Sequence, residues 1–224
     1  MPKLDSRRNF IRKSVKVLTS IGVFLTPIFS VIASAVEKTG KWILPKGINL
    51  DKLINKNPDT LDTRNLEPIP LNQFKTMGIT DHQVDLNIWR LEIAGQVQKP
   101  LRMTYERLIE LPSVERDVLL ICPGVFANFG TWKGISLRTL MAVSEAADRA
   151  THVTVRGPEG PYEKVQRFPI ADIADDKVFL AYQVNGKVLP QKHGYPLRVV
   201  AEGYYGFDWV KFVYKVEIDR INTN

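Results

Sequence analysis

The chain has 224 residues, of which 44% are hydrophobic and 25% charged. That length suits one globular domain with extensions, and the composition excludes collagen-like, low-complexity and disulfide-stapled chains. The net charge of +7 is uneven: residues 1–36 hold Lys3, Arg7, Arg8, Arg12, Lys13 and Lys16 against Asp5 alone, whereas the other 188 residues carry 25 basic and 23 acidic side chains, too even a balance for a nucleic-acid-binding body.

The chain opens as an address. Ser6-Arg7-Arg8-Asn9-Phe10-Ile11-Arg12-Lys13 precedes an uncharged stretch from Val17 to Val36, which closes near Ala33-Ser34-Ala35. Paired arginines, then Phe-Ile, then a moderately apolar run form the twin-arginine export pattern. It predicts a signal segment over 1–36, recognition by the twin-arginine translocase, and a periplasmic or otherwise extracytoplasmic location. The uncharged run is long enough to span a bilayer, so removal and retention as an anchor both stay open. Twin-arginine export carries proteins that have already folded, often around a cofactor. An oxidising compartment permits disulfides, yet Cys122 is the only cysteine. A lone thiol there is either buried and inert or occupied.

Residues 37–70 read as an extended lead-in, with Pro45, Pro58, Pro68 and Pro70 scattered without periodicity. The main domain is expected over 71–224. Trp89, Leu91 and Ile93 alternate with polar or small neighbours until Gly95, a strand. Thr104 is placed to cap a short helix through Leu111, stopped by Pro112. Val118–Cys122 is a continuous apolar run closed by Pro123-Gly124, a buried strand ending in a turn. Ser136 is placed to cap a helix from Leu137 to about Ala147. Thr151–Val155 and Tyr162–Phe168 read as strands around a Gly/Pro loop. Val178–Val184 and Lys187–Leu189 flank Asn185-Gly186, a strong hairpin signal. Val210, Phe212, Tyr214, Val216 and Ile218 alternate as one half-buried strand. The expected class is α+β, with β-rich mixed sheets and a few short helices.

Paired-cysteine zinc sites, haem-attachment motifs, phosphate-binding loops and dinucleotide turns are missing. His82, His152 and His193 lack metal-ligand spacing. Cys122 stands where a rigid strand meets a loop, a good place to aim a soft metal ligand; a small buried hydrophobe is the plain alternative. A cysteine protease would need a paired base that nothing marks.

Trp89-Arg90-Leu91-Glu92-Ile93-Ala94-Gly95-Gln96-Val97, the strand-end Cys122, Trp132-Lys133-Gly134-Ile135-Ser136-Leu137, His193-Gly194-Tyr195-Pro196-Leu197-Arg198, Tyr205-Gly206-Phe207 and Val210-Lys211 succeed one another in an informative order. In that order the chain resembles the molybdopterin-binding domain of the sulfite oxidase family over roughly 60–220. Within it, the chain is most similar to the branch of periplasmic protein-methionine-sulfoxide reductases. The resemblance implies the sulfite-oxidase-type fold and a Mo-molybdopterin cofactor. It implies Cys122 as the molybdenum ligand and catalytic cysteine. It also implies cofactor contacts at Asn72, Lys75, Thr76, His193, Arg198, Trp209, Val210 and Lys211. Lys75 and Thr76 replace a Tyr-Glu pair, His193 an Asn and Trp209 a Gly. Arg198 and Lys211 would answer the cofactor's phosphate.

The segment after the cysteine, Pro123-Gly124-Val125-Phe126-Ala127-Asn128, lacks the arginines that hold sulfite, and Phe126 and Phe129 suggest an apolar pocket lip. The implied activity is oxygen-atom or two-electron transfer on a small or protein-bound sulfoxide-like substrate. Electrons would pass to or from a separate haem protein or quinone-linked membrane subunit. A sulfite dehydrogenase and a non-catalytic exported binding module on the same fold are the alternatives.

Overall fold

Two short segments open the described part of the chain. β1 (Trp42–Ile43) pairs in parallel with β2 (Leu61–Asp62). Between them lie two single-turn helices, Leu50–Leu53 and Pro58–Thr60. Asn49 and Asn57 cap them, each side chain accepting an N–H two residues on, which is why these polar residues start turns. The computed structural model describes residues 40–160 and 163–220. The predicted export segment and the start of the Tyr162–Phe168 strand therefore lie outside the described residues. Among the described residues no helix is long and apolar enough to cross a membrane. All elements named here belong to the unit Trp42–Asn224.

The first five-stranded sheet runs β4 (Leu101–Met103), β3 (Leu91–Gly95), β12 (Lys215–Asp219), β7 (His152–Arg156), β8 (Val165–Pro169). β12 lies parallel to β3 and antiparallel to β7. The second holds β10 (Lys187–Val188), β9 (Val178–Val184), β6 (Phe126–Ser136) and β5 (Ser113–Cys122), with β11 (Arg198–Ala201) also on β9. One apolar cluster joins the sheets, with Leu91, Ile93, Leu120, Trp132, Phe168, Phe179 and Ile218 inside it. Three short helices decorate them: α1 (Tyr105–Ile109), α2 (Leu137–Val143) and α3 (Ile170–Ala174). This is the expected β-rich α+β class.

Thr104 caps α1 through Arg107 N at 3.3 Å and Ser136 caps α2 through Arg138 N at 3.1 Å. α2 stops at Val143, short of Ala147, because Glu145 turns left-handed at φ 52°. Asn185 and Gly186 take φ 49° and 70°, the two left-handed positions of a tight hairpin. The expected strand from Val210 to Ile218 is corrected to β12 alone. Phe212 sits at φ 56°, which breaks the extended run, and the carbonyl of Val210 instead accepts Val199 N at 2.8 Å. β6 escaped the alternation reading because Asn128, Gly130 and Gly134 are weak strand formers. Gly134 is needed there: a Cβ would stand 2.0 Å from the carbonyl oxygen of Leu180 on β9.

β5 and β6 form the long hairpin that carries Cys122 at its tip. Its side chains divide by period two. Leu120, Phe126 and Trp132 join the main core, with Cys122 packed against it. Leu119, Ile121, Ala127 and Phe129 face the other way and pack on Leu44, Leu53 and Leu61 of the lead-in. The stretch from Leu44 to Leu66 thus contributes an apolar underside to the hairpin. Phe129 is 1% exposed in that second cluster. It is therefore not at a pocket lip, a correction that strand parity explains.

Candidate active site

Cys122 ends β5 opposite Phe126, and the turn between them closes with Val125 N donating to Cys122 O at 3.0 Å. The turn is pinned from below, where Gly124 N donates to Ile54 O at 3.1 Å. The thiol is half-buried, and burial raises its pKa. It opens into a cavity of about 330 Å³, lined also by Lys75, Thr76, Arg198, Trp209 and Lys211.

Arg198 begins β11 at 5% exposure. Its guanidinium lies 5.1 Å from the ring centre of Trp132 and 5.3 Å from that of Trp209, a cation packed against two indoles that themselves meet edge to face at 5.6 Å. Nη1 donates to His193 O at 3.1 Å and Nε to Val199 O at 3.4 Å, while Nη2 has no hydrogen-bond partner among the described residues. Burial pulls its pKa down to about 9. Lys211 is bridged to Arg198 through the backbone. Its Nζ donates to Thr76 Oγ1 at 3.3 Å and to Lys192 O at 3.2 Å, and burial, then Arg198, lowers its pKa to about 8. Neither cation meets a carboxylate among the described residues. The cavity lining includes Lys75, Lys164, Arg198 and Lys211, and no Asp or Glu. Two desolvated cations without a counter-charge are a costly arrangement that an anionic ligand relieves.

His193 is buried, its Nε2 lacks a partner, and burial with the nearby cations lowers its pKa to about 4. Its ring stands edge-on to Phe74 at 6.0 Å. Trp209 Nε1 is likewise buried without a partner. Val210 is fully buried behind them. Of the residues singled out from the sequence, the structure brings Cys122, Lys75, Thr76, Arg198, Trp209 and Lys211 to one cavity, with His193 and Val210 in the layer behind. Asn72 is not brought there: it is exposed and lines a separate groove with Glu115 and Thr131.

Sequence reasoning missed Met77, Ile79, Leu120, Phe207 and Phe212, which supply apolar wall, and the buried Asn128 beneath it. Phe207 was within reach, because it ends the Tyr205-Gly206-Phe207 motif. The others carry no local signal. Among the described residues no three His, Cys, Asp or Glu side chains gather as metal ligands. A metal at Cys122 would therefore take its remaining ligands from a bound group. Anion-seeking cations, unpartnered buried N–H groups and a strand-end thiol fit a cofactor that brings sulfur ligands and a phosphate.

This fold and site define a cofactor-dependent oxidoreductase. The chain belongs to the oxidoreductase molybdopterin-binding domain family, whose model matches residues 77–223, and its cofactor is Mo-molybdopterin. A nitrate reductase (NADH) of Lotus japonicus is 28% identical over 68% of this chain and 20% of the relative. The protein-methionine-sulfoxide reductase catalytic subunit MsrP of Gluconobacter oxydans is 30% identical over 58% of this chain and 46% of the relative. Among solved structures, the sulfane dehydrogenase SoxCD from Paracoccus pantotrophus superposes with a TM-score of 0.57 at 27% identity, over 61% of this chain and 39% of that one. The chain spans less than half the length of each of these relatives.

Proposed function

We propose that this chain is an exported molybdenum oxidoreductase that transfers an oxygen atom or two electrons on a small or protein-bound sulfoxide-like substrate. The observation that carries the reading is that buried Arg198 and half-buried Lys211, neither with a carboxylate partner among the described residues, share a cavity with the chain's one thiol. When bound, the cofactor supplies a two-electron metal centre, dithiolene sulfurs and a phosphate.

The chain's own residues bind and orient. Cys122 gives the protein's thiolate, its direction fixed by β5 and the pinned turn. Arg198 offers the free Nη2 edge of a guanidinium already packed against two indoles, and Lys211 adds a point charge. Lys75 and Thr76 form one wall, Trp209 another, and His193 and Val210 hold these walls in place. His193 is neutral above about pH 4, so its imidazole offers an N–H or a lone pair rather than charge. At the mouth, Met77 is 51% exposed and Phe207 55% exposed. Apolar groups at the entrance suit an uncharged sulfoxide or thioether better than sulfite, and the MsrP relative is named for such a substrate. The export pattern at Ser6–Lys13 supports a location outside the cytoplasmic membrane. Electrons pass to or from a separate haem protein or quinone-linked subunit.

Metal-loaded full-length protein, screened with a dye donor or acceptor against sulfite, free and protein-bound sulfoxides and N-oxides, tests this reading. Reduction of sulfoxides is expected. Turnover confined to sulfite would replace it with a sulfite dehydrogenase.

A further inference from the structure

We propose that Asn128, which touches no part of the cavity's ligand space, is a positioning residue for the phosphate end of the site: it fixes the backbone at Lys75 and, through Thr76, the place where the Lys211 ammonium stands. This inference rests on the cofactor reading above.

Asn128 lies on β6 directly opposite Leu120 and is 2% exposed. Its Oδ1 accepts Lys75 N at 3.1 Å and its Nδ2 donates to Lys75 O at 2.8 Å. One partner is a donor and the other an acceptor, so only one orientation of the amide satisfies both. The side chain does what a neighbouring strand would do for that residue, at a place where no strand runs. Two positions further, Gly130 makes room for the residue before Lys75: a Cβ there would stand 2.6 Å from Phe74 Cζ. Two further still, Trp132 meets the Phe74 ring at 5.9 Å. Asn128, Gly130 and Trp132 share one face of β6 by strand periodicity and form a shelf for residues 74–75.

The shelf matters because Thr76 is the next residue along the chain. Thr76 Oγ1 donates to Lys192 O at 3.3 Å and accepts from Lys211 Nζ at 3.3 Å. With the carbonyl of Lys192, this hydroxyl is what holds the Lys211 ammonium, because the lysine has no carboxylate partner among the described residues. A buried amide therefore governs, through one intervening side chain, the aim of a charge on a distant part of the chain. Without Asn128 the backbone N–H and C=O of Lys75 lose their hydrogen-bond partners, and Thr76, the next residue, loses that anchor.

The test is the rate of pterin release from full-length holoprotein, monitored by the cofactor's own fluorescence after separation. Asn128→Ala, which removes both hydrogen bonds to Lys75, should release pterin roughly tenfold faster, because only part of that loss is passed on to the site. Asn128→Asp keeps the acceptor for Lys75 N but sets a buried carboxylate against Lys75 O, so it should release pterin at least as fast as Asn128→Ala. The deciding measurement is the double variant with Lys211→Ala. If Asn128 acts through Lys211, adding Asn128→Ala to that background should change release by less than about twofold. Independent, multiplying effects would make Asn128 an ordinary core residue and overturn the proposal, as would wild-type release from Asn128→Ala. Should Asn128→Ala fail to fold, Thr76→Val removes the relaying hydroxyl alone and must show the same loss of effect in the Lys211→Ala background. Wild-type protein that never retains pterin would instead overturn the cofactor reading itself, a result distinct from failure of the cycle.

Discussion

Gly194 and Lys211 touch through their backbones: a Cβ on Gly194 would stand 3.0 Å from Cβ of Lys211 and 3.1 Å from its Cα. Gly194 also sits at φ 109°, and its carbonyl accepts Phe212 N at 3.3 Å. The loop after His193 and the strand-like stretch around Lys211 are thus in direct contact with no space for a side chain. Gly194→Ala should cost about 1–3 kcal/mol from strain and contact together and loosen pterin retention. Gly186→Ala is the control. It carries the same kind of backbone strain at φ 70° but meets nothing within 4 Å. Thermal unfolding should report a loss for both, and pterin retention a loss for Gly194→Ala only.

Replacement of Arg198 separates binding from stability. The guanidinium is buried without a counter-charge, so the cofactor-free protein gains little from it. Arg198→Met should leave the melting temperature of cofactor-free protein unchanged or raise it, by the equivalent of about 1–2 kcal/mol. Pterin retention should nevertheless fall further than in Lys211→Ala, because a fork makes two directed bonds where an ammonium makes one. Arg198→Lys should not restore it, since lysine lacks the planar fork that packs against Trp132 and Trp209. Retention in Arg198→Met equal to wild type would show the guanidinium to be a packing element.

Cys122→Ser should fold and lose the metal signature. The position is half-buried, so an unpaired hydroxyl there costs on the order of 1 kcal/mol. Serine is a harder and poorer donor than thiolate. The Mo(V) electron paramagnetic resonance spectrum should change or vanish, and turnover should fall below detection. An unaltered spectrum with unaltered rate would reduce Cys122 to a core residue.

Acid stability should track His193. Burial, then Arg198, Lys192 and Lys211, hold its native pKa at about 4. The unfolded chain binds that proton near pH 6.5. Between those values the unfolded state carries more protons, so stability falls as pH falls from about 6.5 to about 4. The loss is at most about 3–4 kcal/mol. His193→Asn removes this titration, so the gap in urea midpoint between pH 7 and pH 5 should narrow. An unchanged gap would place the acid sensitivity on other groups.

Export should depend on the arginine pair. Arg7→Lys combined with Arg8→Lys should leave folded, cofactor-loaded protein in the cytoplasm. Cell fractionation reads the outcome, and undiminished export would remove the twin-arginine reading.

The strands legible in the sequence were those written by apolar alternation or by a turn. Leu91–Gly95, Val178–Val184 and the Asn185-Gly186 hairpin belong to this group, as do the caps at Thr104 and Ser136. β6 was not legible. Its Asn128, Gly130 and Gly134 answer to groups that lie against them: a backbone, a phenylalanine ring and a neighbouring strand. Those demands are tertiary and leave no local periodicity. The same holds at the site. Cys122 stands out as a single thiol at a strand end, and Arg198 and Lys211 through ordered motifs. Phe212 defeated the alternation rule because a left-handed residue looks, in sequence, like any other phenylalanine. Asn72 sits only three positions before Lys75, yet the turn at Leu71–Gln73 points it to another groove.

The apolar underside of the β5–β6 hairpin has a consequence for where this molecule can be cut. The family's model begins at residue 77, but Leu44, Leu53 and Leu61 lie before it and cover Leu119, Ile121, Ala127 and Phe129. A chain trimmed to 77–223 would bare an oily stripe directly behind the cysteine turn and would lose the carbonyl that pins Gly124. It would also lose the Lys75 and Thr76 that wall the cavity. The boundary drawn by shared ancestry and the boundary of the compact unit are therefore different, and the compact unit starts more than thirty residues earlier, at Trp42.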